Sequence, residues 1–96
     1  MTWIRTIPPA EADTELRRCY DEVYSHYPPE YEHAAPAVVR ADGTVDSVVA
    51  AHSLIPEAMR HLLGGFGALL SPALPLSRQQ HEMITTVVSA LNRCFY

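Results

Sequence analysis

Two side chains stand out for the chemistry they could share. Cys94 is followed by Phe95 and Tyr96, so it has the look of the first member of a Cys-x-x-Cys dithiol whose second member would be the next residue. Glu82 lies twelve residues before it. On one straight helix that separation is about 18 Å, too far for direct proton exchange. For the two groups to cooperate, the chain must turn back between them. Asn92 suits such a turn, because asparagine tolerates the left-handed conformation that ends helices. Cys94 would then open a second helix, whose positive end favours the reactive thiolate. Glu82, facing it from the antiparallel neighbour, would carry protons to and from the thiol.

The elements that must position these groups read as helices. Pro8-Pro9, followed by Glu11 and Asp13, has the signature of a helix start. Leu16, Tyr20, Val23, Tyr24 and Tyr27 then recur at helical spacing until Pro28-Pro29. Residues 30–43 read as a loop, with Pro36 inside it and a turn at Ala41-Asp42-Gly43. Residues 45–52 have strand-like composition, but Val45, Val48, Val49 and His52 also fit a short helix, which the helical neighbours favour. Pro56 starts the next helix, with Met59, Leu62, Leu63, Phe66, Leu69 and Leu70 as its apolar face. Gly64, Gly65 and Gly67 within it either allow close helix packing or mark a break. Ser77 and Gln80 form a capping box. Met83, Ile84, Val87, Val88 and Leu91 follow as one apolar stripe.

The expectation is therefore an all-α fold. Residues 1–43 form an N-terminal helical extension and loop. Residues 44–96 form the first part of a helical domain that stops inside the redox motif.

Composition excludes several classes. Ninety-six residues make one small domain or part of a larger one. Eleven acids against seven arginines and no lysine give a net charge of -4, which leaves no nucleic-acid footprint. No apolar run is long enough for a membrane span. The start, Met1-Thr2-Trp3-Ile4-Arg5, does not read as a secretory signal, so a cytoplasmic location is expected. Two cysteines make no disulfide framework. The histidines are scattered, so neither a metal site nor a cofactor is expected. His81, beside Glu82 but about 100° round the helix, is expected in solvent. Arg78 reads as a surface charge. Cys19 reads as a core thiol. Tyr20, Tyr24, Tyr27 and Tyr31 suggest a packing surface suited to a subunit interface.

The spacing of Glu82 and Cys94 resembles the alkylhydroperoxidase D and carboxymuconolactone decarboxylase superfamily. Its pattern is Glu, eleven residues, Cys, two residues, Cys, three residues, His. Ser53-Leu54-Ile55-Pro56-Glu57-Ala58, Leu76-Ser77-Arg78 through Ile84, and Val88 through Cys94 are similar to its peroxidase-related branch. Trp3-Ile4 to Pro9, with Ala12, Leu16 and Tyr20, resembles that branch's N-terminal extension. The resemblance implies an all-helical bundle that forms homo-oligomers. It also implies a thiol-dependent peroxidase that reduces hydroperoxides and is recycled by an external thiol reductant. By that resemblance Cys94 is the resolving cysteine and Glu82 belongs to the proton relay. The attacking residue and the relay histidine have no counterpart up to Tyr96, so the 96-residue chain is expected to be inactive by itself. Three explanations for an end at Tyr96 stay open: a fragment boundary, a nonsense codon, or an in-frame UGA read as selenocysteine. Two rival functions stand beside the peroxidase. One is a carboxymuconolactone decarboxylase, against which Cys94 argues. The other is a non-enzymatic helical module, or inactive fragment, whose apolar stripes dock onto a partner.

Overall fold

The computed structural model describes residues 4–28, 39, 41 and 47–94. The fold is all-α. It has three α-helices, α1 (Thr14–Ser25), α2 (Pro56–Leu69) and α3 (Arg78–Leu91), with a short 3-10 turn before α1 at Pro9–Glu11 and another before α2 at Ala50–His52. No strand element is present among the described residues.

The first helix starts later than its proline signature suggests. Pro8-Pro9 starts only the 3-10 turn, and the chain then runs extended through Ala12 and Asp13. Asp13 is the better cap: its carboxylate accepts the Leu16 N–H at 2.9 Å, satisfying a donor that the first helical turn leaves over. From there Leu16, Cys19, Tyr20 and Val23 fall on one face and are buried. Tyr24, expected on that face, is instead 40% exposed and stacks on Tyr20 with ring centroids 6.0 Å apart. Tyr27 meets Tyr24 edge-on at 5.4 Å. Tyr31 lies outside the described residues.

The helix expected over residues 45–52 shrinks to the single turn Ala50–His52. Ser47 organises it, its hydroxyl accepting the Ala50 N–H at 3.1 Å and its carbonyl the Ala51 N–H at 3.1 Å. Of the valines proposed for its apolar face, Val49 enters the core and Val48 is exposed, while Val45 lies outside the described residues.

The core sits between α1 and α2. It consists of Leu16, Cys19, Tyr20, Val23, Val49 and Met59, with Ile7, Ala12, Tyr27, Ala50 and Leu63 against its edge. Two polar contacts fasten the N-terminal segment over it. The Ile7 N–H donates to the Ser53 hydroxyl at 2.8 Å, and the Tyr20 hydroxyl donates to the Ile7 carbonyl at 2.6 Å. Ser53 is 1% exposed, so its hydroxyl exchanges a water contact for a backbone one.

Helix α2 runs unbroken through its three glycines. Gly67 is the close-packing one. A Cβ there would lie 2.7 Å from the His26 Cβ, so the end of α1 rests directly on the α2 backbone. Gly64 and Gly65 face open space. Only Met59 of the α2 face is buried, whereas Leu62, Phe66 and Leu69 are exposed.

Candidate functional site

Both candidate residues belong to α3, so the build of this helix decides what they can do. Its start is the expected capping box. The Ser77 hydroxyl accepts the Gln80 N–H at 3.2 Å, and the Gln80 side chain accepts the Ser77 N–H at 2.8 Å. One turn on, the Arg78 Nε donates to the Glu82 Oε1 at 2.7 Å. Arg78 is the exposed charge expected, and it pairs with Glu82. An arginine near the positive helix end, four residues before its acid, is the weaker orientation for helix stability. Its clearer effect is to hold the Glu82 carboxylate in one direction. Both side chains are a little over two-fifths exposed, so the pair contributes at most about 0.5 kcal/mol.

The far end closes with a Schellman motif. The Arg93 N–H donates to the Ala90 carbonyl at 3.1 Å and the Cys94 N–H to the Ser89 carbonyl at 2.9 Å. The left-handed residue is Arg93, at φ 51°, and Asn92 keeps helical angles at φ -78° and ψ -2°. The expected turn is therefore present but one residue later. The reason is positional: the two closing hydrogen bonds form only when the residue after the last helical one takes positive φ. Cys94 follows directly. Its thiol is free and exposed.

These observations also show what the chain does not bring together. The residues of α3 between Glu82 and Leu91 span about 14 Å along the axis, and Cys94 lies beyond them. Glu82 and Cys94 therefore stand at opposite ends of one helix. The segment that would carry Cys94 back toward Glu82 starts at Phe95, outside the described residues. Cys19, the other thiol, is 5% exposed inside the core.

His81 corrects the sequence expectation. Its ring, expected in solvent, is 4% exposed, and its Nε2 has no hydrogen-bond partner among the described residues. His81, Glu82 and Thr85 form the better-covered side of the helix, while Met83, Ile84, Val87, Val88 and Leu91 point outward at 52–79% exposure. No pattern in the sequence signals this, because an amphipathic helix ordinarily turns its apolar stripe inward.

Among the described residues, no group of three or more His, Cys, Asp or Glu side chains is arranged to hold a metal ion. No described helix is long and apolar enough to cross a membrane. An open hollow of about 450 Å³ lies at the start of α1, lined by Asp13, Arg17, Arg18 and Asp21 among others. Its lining includes no thiol and is built from a different helix from Glu82 and Cys94. No family model, curated protein or solved structure matches this chain.

Proposed function

We propose that Cys94 is one thiol of a peroxide-reducing dithiol and that Glu82 serves its proton transfers. The observation that carries this reading is the Cys94 environment: a free, exposed thiol immediately after the left-handed Arg93 that ends α3. A resolving thiol must reach both a sulfenic acid and an external reductant, and that exposure allows both.

A partner thiolate attacks a hydroperoxide oxygen, the O–O bond breaks, and an alcohol leaves after taking one proton. The partner sulfur becomes a sulfenic acid. The Cys94 thiolate attacks that sulfur, a disulfide forms, and water leaves with the second proton. An external dithiol then reduces the disulfide by exchange. Glu82, held by Arg78, is the carboxylate that would pass these protons once the chain beyond Cys94 folds back along α3. Buried Cys19 is not the partner thiol, because no peroxide reaches it without opening the core.

The test is hydroperoxide consumption with a dithiol reductant, using the 96-residue chain and the form translated on past Tyr96. The longer form is expected to turn over, and Cys94→Ser to stop it. If both forms are inert and Cys94→Ser changes nothing, the proposal is wrong.

A further inference from the structure

We infer that residues 4–12 form a latched strap, which opens and closes as a unit over an α1–α2 core that stays folded, and that the latch is the grip of the Tyr20 and Ser53 hydroxyls on the Ile7 backbone. The core does not need the strap. Its buried members, Leu16, Cys19, Tyr20, Val23, Val49 and Met59, all lie after residue 12. Helix α1 does not need it either, because Asp13 caps the first turn from its own side chain. The strap in turn keeps its own structure. Its 3-10 turn is closed by the Glu11 N–H on the Pro8 carbonyl at 2.9 Å and the Ala12 N–H on the Pro9 carbonyl at 3.3 Å. No side chain in it is buried, and only Thr6, Ile7 and Ala12 are half-buried. A segment with few buried contacts and self-contained hydrogen bonds opens at a lower free energy than the whole molecule.

What holds the strap is concentrated on one residue. The Ser53 hydroxyl takes the Ile7 N–H, and the Tyr20 hydroxyl donates to the Ile7 carbonyl. Pro8 and Pro9, next in the chain, have no N–H to offer. A further tie, from the Arg17 guanidinium to the Pro9 carbonyl, is long at 3.4 Å and exposed. The two gripping side chains are themselves buried, at 2% exposure for Tyr20 and 1% for Ser53, and the Ser53 hydroxyl also hydrogen-bonds the Tyr20 phenol. The Tyr20 proton goes to Ile7, so the proton between the two hydroxyls is that of Ser53. The bonds then close a ring, from Ile7 N–H to Ser53, from Ser53 to Tyr20, and from Tyr20 back to the Ile7 carbonyl. Each hydroxyl donates and accepts at once, so the bonds strengthen one another and the loss of one weakens the rest.

Opening leaves no polar group stranded. It lets water reach both hydroxyls and the Ile7 backbone, and it uncovers the core edge on which Ile7 and Ala12 pack. The inference uses neither Cys94 nor Glu82.

Amide hydrogen exchange on the full chain, followed by NMR with and without urea below the unfolding transition, tests it. The Ile7 amide is expected to be protected, yet to exchange at least about tenfold faster than the Val23 amide inside α1. Its exchange should respond little to urea, because opening the strap exposes little surface. Ser53→Ala and Tyr20→Phe should each speed Ile7 exchange on the order of tenfold. Tyr20→Phe leaves the bond of the Ile7 N–H in place, so its effect reports the opening of the strap. Joined in one chain, the two changes should fall short of the product of their single effects by about threefold or more, as bonds in a ring must. An Ile7 amide that exchanges at the Val23 rate with the same urea dependence overturns the inference, and so does one with no protection at all. Single effects that simply multiply overturn the ring. The comparison of Ile7 with Val23 is made on the wild type and depends on no variant folding.

Discussion

At the scale of single residues, Arg93 and Ser53 show how much local geometry depends on one side chain. Arg93 occupies a left-handed position at φ 51°, where a β-carbon is strained and glycine is not. Arg93→Gly should stabilise the chain by about 0.5–1 kcal/mol, read from urea unfolding followed by circular dichroism. Ser53→Ala should do the opposite. It leaves the Ile7 N–H without its acceptor and should lower stability by about 1–3 kcal/mol. Tyr20 adds a pH dependence. Burial pushes its phenol above the usual 10.0, with the Ser53 hydroxyl pulling the other way and Tyr24 adding a smaller upward push. A raised folded value means the folded chain favours the neutral phenol. That contribution is complete below pH 10 and is lost as the pH rises through the folded value. Tyr20→Phe should therefore lose the Ile7 contact yet flatten the alkaline decline in unfolding free energy. At the proposed site, Glu82→Gln keeps the shape of the side chain and removes its basicity. It should slow hydroperoxide turnover by about 10²–10⁴-fold, the range for a lost general acid–base.

At the scale of elements, the α2 glycines divide by what surrounds them. Gly64→Ala and Gly65→Ala place their new methyl groups in open space and should each stabilise α2 by about 0.5–1 kcal/mol. Gly67→Ala drives a methyl group to within 2.7 Å of His26 and should lower the thermal midpoint instead. The sequence pattern alone could not separate the three, because their difference lies in α1, a distant stretch of chain. The same limit explains other departures. The capping box at Ser77 and Gln80 was legible because cap and partner are three residues apart. The Leu16, Cys19, Tyr20 and Val23 face was legible from its period. The burial of His81 was not, since it depends on surroundings that the local pattern of α3 does not carry. Over residues 47–52 the helix is shorter than the pattern suggests, because valines suit helix, strand and turn alike and the local Ser47 contacts set the turn.

At the scale of the whole molecule, the described residues comprise a small core between α1 and α2 and a third helix, α3, whose apolar stripe is exposed. The all-helical class followed from periodicity, but the uncovered stripe did not, since a sequence shows that a face is apolar and not what covers it. The proposed site has the same character. The residue types at Glu82 and Cys94, and a turn between them, were legible. Most of the length of α3 separates them, so the cooperation proposed for them needs a further segment that brings the two together. The direct test of the redox claim is intact-protein mass spectrometry of the form translated past Tyr96, before and after one equivalent of hydroperoxide. The account predicts a loss of two hydrogens per chain, a disulfide mapped to Cys94, and its reversal by a dithiol. A Cys94 thiol that stays reduced while peroxide is consumed, or a peroxide that is never consumed, would contradict it.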